Sequence, residues 1–175
     1  TPAFTDHNAI LSGVTLEQLN LGPDSDNDGL PDVWETSVFG NLAQTGTGDG
    51  DNDGLSNAME LELASNANDA DTDDDGLNDG VEFNTHKTGI NITDSDSDGL
   101  SDSAEINTHG TLPTSGDTDK DGLLDGAELA VHKTNPKLAD TDGDGVGDGQ
   151  EITAKTDPTS ASSVPPAAIG RVRGG

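Results

Sequence analysis

The sequence predicts a small, irregular repeat array: six tight acidic loops in register, each followed by a short α-helix, with little or no β-sheet and no large hydrophobic core. Three observations carry that expectation. Six twelve-residue segments align without gaps, beginning at Asp24, Asp49, Asp71, Asp94, Asp117 and Asp140, so their starts lie 25, 22, 23, 23 and 23 residues apart. Hydrophobic residues make up 29% of the 175 and aromatics 2%, and cysteine is absent, so neither a large interior nor disulfides can hold the chain. Acids number 35 against 7 bases, a formal charge of −28, and 29 of those acids fall at fixed positions within the six segments. Charge placed so regularly is not a solubilising coat. The array is expected to be metal-stabilised.

Each loop follows one pattern. Positions 1, 3 and 5 are Asp, position 6 is Gly, position 7 is Leu or Val, position 9 is Asp (Asn57 once) and position 12 is Glu. This is the spacing of an EF-hand-like calcium loop. A hard dication of calcium's size takes six to eight oxygens, and carboxylates at alternate positions of a tight loop converge on it. Glycine at position 6 permits the sharp turn, position 7 offers its backbone carbonyl, and the glutamate closes the cage with two oxygens. A chance D-x-D-x-D-G is expected in about one in ten chains this rich in Asp. Six in register, each with its glutamate, are not chance.

The candidate metal ligands are therefore, in chain order, Asp24, Asp26, Asp28, Leu30, Asp32 and Glu35; Asp49, Asp51, Asp53, Leu55, Asn57 and Glu60; and Asp71, Asp73, Asp75, Leu77, Asp79 and Glu82. The second half of the chain adds Asp94, Asp96, Asp98, Leu100, Asp102 and Glu105; Asp117, Asp119, Asp121, Leu123, Asp125 and Glu128; and Asp140, Asp142, Asp144, Val146, Asp148 and Glu151. About six or more Ca2+ ions are expected, neutralising part of the self-repulsion that opposes compaction. Asn57 predicts a weaker second site.

A 23-residue period less the loop leaves 11 residues, enough for one outgoing helix of about two turns and a spacer. Its expected apolar stripe runs through positions 7, 11 and 15, as in Leu30/Trp34/Val38, Leu55/Met59/Leu63 and Leu123/Ala127/Val131. Position 13 adds Leu61, Phe83, Ile106, Leu129 and Ile152. Glycine, threonine and proline then break each helix, as in His109–Gly110–Thr111–Leu112–Pro113. No incoming helix fits, so a helix-pair switch is not expected, and the array is quasi-one-dimensional.

The D-x-D-x-D-G-L-x-D-x-x-E blocks, with their T-x-P and K-T-x-P spacers, resemble thrombospondin type 3 repeats in their bacterial form over residues 24–158. That resemblance implies calcium bound along an extended, metal-cored rod on a secreted or cell-surface protein. The ligands it implies are Asp24, Asp26, Asp28, Asp32 and Glu35 and their counterparts. The linking cysteines of the animal form are missing, so disulfide-aided rigidity is not implied.

Three regions follow: an N-terminal cap or arm over 1–23, the repeats over 24–157, and a Pro/Ser/Gly-rich tail over 158–175. The N-terminal segment either caps the first repeat or is donated to a neighbouring subunit. The chain opens on Thr1 without an initiator methionine and is expected to be a processed product or an excised piece. Residues 1–86 hold 19 acids and no base, while Arg171 and Arg173 lie at the other terminus. Head-to-tail contact between copies, as a homo-oligomer or filament, is one partner expectation; a cell-surface or matrix ligand is the other. Nucleic acid is excluded by like charge, and no apolar run approaches the ~20 residues of a membrane span.

Trp34 is expected in packing beside Val38, Phe39 and Leu42. His86, His109 and His132 recur near helix ends, too sparse for a transition-metal ladder. Asn91-Ile92-Thr93 matches a glycosylation sequon and carries little weight. No nucleophile constellation or phosphate loop appears, and the paired carboxylates are accounted for as ligands, so no enzyme is expected. The expected role is an extracellular calcium-binding stalk or self-assembling fibre subunit. A calcium-dependent adhesin module and a spacer of a larger secreted hydrolase are the alternatives.

Overall fold

The computed structural model describes residues 22–165; the N-terminal segment expected to cap or reach out, and the basic residues Arg171 and Arg173, lie outside them. Among the described residues there are six short helical segments and no strand. They are α1 (Asp32–Val38), α2 (Asn57–Leu63), α3 (Asp79–Val81), α4 (Asp102–Ala104), α5 (Asp125–Ala127) and α6 (Asp148–Ala154). In the third, fourth and fifth repeats the α turn runs directly into a π-helical turn: Glu82–His86, Glu105–His109 and Glu128–His132. The chain divides into two compact units, Thr1–Asn91 and Ile92–Gly175. Each helix starts at position 9 of its loop, so every loop feeds its glutamate into the first helical turn.

The α-to-π difference follows from one residue of length. Each helix ends where a backbone N–H returns to the carbonyl of the position-12 glutamate. Ala64 and Lys155 do so with four residues to cover, whereas Lys87, Gly110 and Lys133 have five. All five of these cap residues are left-handed. The extra residue is absorbed as a wider turn, as in a π-bulge. The 22-residue second repeat thus keeps a regular helix, and the 23-residue repeats do not.

That turn also corrects the expected stripe. Val38 and Leu63, in regular helices, are half-buried at position 15, but Val131 is 69% exposed, because the added residue rotates it off the inner face. The three recurring histidines prove to be the last residues of the π turns.

Apolar burial is thin and local. Leu30, Leu55 and Leu77 at position 7, with Ala67 and Ile90 in the spacers, form the buried hydrophobic set. A fully buried leucine contributes ~2 kcal/mol, so these five side chains fall far short of the ordering entropy of the described residues. Beside Leu30 and Leu55, the large side chains that are fully buried among the described residues are acids: Glu35, Glu60, Glu82, Glu105, Glu128 and Glu151 are all 0% exposed. In the first repeat Trp34 is only half-buried and meets Phe39 edge to face at 5.4 Å. Leu42 is 38% exposed.

Candidate metal centres

Each loop is wound on its own carboxylates. Position 1 accepts the amide of the position-6 glycine: Gly29 to Asp24 at 3.2 Å, Gly99 to Asp94 at 3.0 Å, Gly145 to Asp140 at 2.8 Å. That glycine has φ between +95° and +103° in all six loops, a conformation side chains resist. Position 5 accepts the amide of position 7, as in Leu30 to Asp28 at 2.9 Å and Leu55 to Asp53 at 2.6 Å. Position 3 accepts the amide of position 5 through one oxygen, at 3.2 Å for Asp98 on Asp96. Three of the six expected ligand positions, 1, 3 and 5, therefore begin as backbone acceptors, each keeping lone pairs for a further partner.

The spare oxygens converge. Ligand atoms of Asp24, Asp26 and Asp28 lie within 4.8 Å of one another, as do those of Asp49, Asp51 and Asp53, of Asp71, Asp73 and Asp75, and of Asp94, Asp96 and Asp98. Two oxygens on opposite sides of a calcium ion stand about 4.8 Å apart, so the spread fits one such ion. The buried orphans are more telling. Oδ2 of Asp51, Asp96, Asp119 and Asp142 and both carboxylate oxygens of Glu35, Glu60, Glu128 and Glu151 are buried with no hydrogen-bond donor. A buried carboxylate without a donor or cation is costly, by several kcal/mol for each ion. An oxygen-only, carboxylate-rich cage of this kind suits a hard dication, and calcium above all.

Electrostatics register the same strain. Desolvation, with Asp51, Asp53 and Asp79 adding to it, pushes Glu60 up to about 8. Desolvation carries Glu105 and Glu128 to about 7, against an opposing hydrogen bond from Thr111 in the case of Glu105. Glu35 and Glu151 are raised for the same reason.

Position 9 is placed differently from the rest. Its two oxygens accept the backbone N–H and the hydroxyl of position 2: Thr118 to Asp125 at 2.9 and 2.6 Å, Thr141 to Asp148 at 2.9 and 2.6 Å, Ser25 to Asp32 at 2.7 and 2.5 Å. Asp79 and Asp102 are held likewise by Thr72 and Ser95. This lace ties the helix start to the loop start. In the third and fifth repeats it also faces position 9 toward the preceding repeat. Asp98 and Glu105 of the fourth repeat and Asp125 of the fifth, all buried, bring ligand atoms within 4.8 Å of one another. Asp53, Glu60 and Asp79 are the matching trio at the second and third repeats, where Asp53 and Asp79 both raise Glu60. Each such trio is a second cluster of acids, shared between repeats, that could hold a cation and that the loop pattern did not assign. The signal was present: Ser or Thr stands at position 2 wherever position 9 is Asp, and Gly50 stands there where it is Asn57.

The spacer threonines were also missed. Thr88 donates to Glu82 Oε1 and Thr111 to Glu105 Oε1, both at 3.0 Å. They recur six residues after the glutamate, a spacing read only as helix-breaking. The spacer pattern even continues past the last loop. Asp157 N–H reaches Ser163 Oγ at 2.9 Å, as Asn66, Leu112 and Asn135 reach Thr72, Thr118 and Thr141. Ser163 thus occupies position 2 of a seventh register in which Ser162 replaces the first aspartate.

Comparison with known proteins agrees with this repeat structure. The family described as bacterial TSP3 repeat matches residues 24–37, 49–70, 71–88, 94–115, 117–139 and 140–161. Two solved structures share short stretches: the biofilm associated protein B domain, 40% identical over 26% of this chain and 11% of that one, TM-score 0.26, and the biofilm associated protein BSP domain, 42% identical over 25% and 7%, TM-score 0.24. The chain thus spans a small fraction of either. A comparison with curated proteins finds no match. No helix among the described residues is long and apolar enough to cross a membrane.

Proposed function

Because the chain belongs to the bacterial TSP3 repeat family, we propose that it is a calcium-rigidified structural segment of an extracellular or cell-surface protein, a stalk or spacer and not an enzyme. One observation carries the reading: the fully buried side chains of every repeat include a glutamate, and four of the six offer two oxygens that no donor satisfies. Such a chain has too little apolar surface to hold these acids in place. Calcium at each loop supplies the missing attraction, and calcium at the shared trios ties one repeat to the next. Rigidity is then a nearest-neighbour property set by the ion.

Extracellular modules of this class typically bind at about 10⁻⁴–10⁻³ M, a range that seawater and host fluids reach. The carboxylate pairs that could serve acid–base chemistry are committed to the loops, which supports a structural role. The test is removal of the ion. Adding EDTA to the 175-residue chain above pH 8, where the buried glutamates no longer keep their protons, is expected to abolish the helical circular dichroism and to shift Trp34 emission, with both restored by excess calcium. A helical spectrum indifferent to chelator would overturn the reading.

A further inference from the structure

We propose that the first repeat is coupled to the second without a shared cation, and that Asn57 is the residue that makes this joint neutral. The inference rests on the calcium reading above and concerns where, along this chain, that ion is used.

Later couplings share a close backbone approach. The position-10 amide donates to the position-5 carboxylate of the repeat before it: Gly80 to Asp53 at 2.7 Å, Gly126 to Asp98 at 2.9 Å, Gly149 to Asp121 at 2.8 Å. A Cβ on any of these glycines would collide with the carbonyl of that same aspartate. This contact seats the position-9 carboxylate beside the preceding Asp and Glu, where Glu60 and Glu105 keep buried oxygens with no donor.

The first coupling is built otherwise. Its spacer is two residues longer than the commonest spacing, and Gly46 enters as a wedge. Gly46 N–H donates to the Asp28 carbonyl at 3.2 Å, and the Gly46 carbonyl accepts from Ala58 N–H at 3.1 Å. Asp28 Oδ2 consequently receives no amide from the next repeat and is a buried oxygen without a donor. Asn57, 0% exposed, stands where the other repeats place a carboxylate. Its Oδ1 accepts from Gly50 N–H at 3.0 Å, and its Nδ2 donates to the Thr45 carbonyl at 2.9 Å. Those two partners fix the amide orientation, and an NH2 group cannot ligate a cation. A carboxylate in its place would set an anionic oxygen against the Thr45 carbonyl.

The surrounding charges agree. The acids that act most on Glu35 are those of its own repeat, Asp28, Asp26, Asp32 and Asp24, whereas Asp79 of the next repeat is among those that act most on Glu60. Neutral contacts do the joining instead: the Asn57 amide, the Gly46 peptide, and Asn68 Nδ2 donating to the Val38 carbonyl at 2.7 Å.

The test is the calcium count of the full chain by native mass spectrometry at saturating calcium. Asp79→Asn and Asp125→Asn are each expected to bind one ion fewer than the wild type, and Asn57→Ala is expected to keep the wild-type count. Loss of an ion in Asn57→Ala equal to that in Asp79→Asn overturns the proposal, as does an unchanged count in both Asp variants. Should Asn57→Ala fail to seat its first repeat, judged by Trp34 emission in excess calcium, Asn57→Ser, which retains an acceptor for Gly50 N–H, decides in its place. A wild-type chain that binds no calcium would instead sink the functional reading itself, so the two failures are distinct.

Discussion

The coupling of the first repeat to the second and the couplings inside the second unit join the same kind of loop by opposite means. At repeats 4–5 and 5–6 a glycine amide presses onto an aspartate, and at 4–5 the buried acids Asp98, Glu105 and Asp125 gather to within 4.8 Å. At repeats 1–2 a spacer glycine intervenes and an amide replaces the acid. The contrast teaches that metal dependence is not uniform along such an array. Where like charges are packed together, the joint needs an ion; where the chain inserts its own peptide, it does not.

The sharpest way to break that comparison is to add a methyl group at each joint. Gly126→Ala places a Cβ against the Asp98 carbonyl, in a contact that backbone movement alone can relieve, and is expected to cost ~3 kcal/mol or more. Gly46→Ala meets the Asp28 carbonyl at 3.0 Å and should cost only about 1 kcal/mol. Thermal unfolding at saturating calcium measures both. Equal losses would erase the distinction between the two kinds of coupling.

Next in size is the response to protons. In the metal-free fold Glu60 titrates near 8 and Glu105 and Glu128 near 7, all raised from 4.5. An acid whose folded value is raised keeps its proton when the unfolded chain has lost it, so metal-free stability falls as pH rises from about 4.5 to about 8. Calcium must displace those protons. Binding is therefore expected to release protons between about pH 6 and 8, and apparent affinity to rise with pH across that window. Calorimetry in buffers of different ionisation enthalpy reads the release directly. Glu105→Gln should reduce it, and Glu62→Gln, outside any loop, should not.

The loops and the number of repeats were legible because ligand spacing is a local property: Asp at alternate positions and Gly at position 6 specify the turn without help from elsewhere. The shared trios were not, because Asp125 looks like one more ligand of its own loop until the fold turns it toward Glu105. Thr118 donates to both Asp125 oxygens from the loop side. The π turns were hidden for a different reason. Periodicity assumes 3.6 residues per turn, and His132 is an extra residue between two fixed ends, Glu128 and Lys133. At Asn57 the sequence predicts a weaker ligand; in the structure its amide also bonds Gly50 and Thr45.

Deleting His132 tests the length argument with a smaller effect. The shortened repeat has four residues from Glu128 to its cap, as the second and sixth repeats do, and is expected to form a regular helix. The lost packing should amount to no more than ~1–2 kcal/mol, with the calcium-dependent circular dichroism retained. Collapse of the fold would mean that the wide turn is required in its own right and is not the accommodation of one added residue.

The smallest effect lies at the caps. Lys87, Lys133 and Lys155 hold φ near +63° where Gly110 holds +68°, so three of the array's helices end on a conformation that lysine resists. Replacing Gly110 with alanine adds that strain, and its Cβ would stand 3.1 Å from Lys137 Nζ, which can swing aside. A loss of ~1 kcal/mol is expected. Lys133→Gly relieves the strain but gives up the Nζ hydrogen bonds to the Leu129 and Ala130 carbonyls and loosens the unfolded chain. These terms oppose one another, and the net change should stay within about 0.5 kcal/mol. A large gain in Lys133→Gly would show that the lysine caps are retained for their charge beside acidic loops, at a standing cost to the fold.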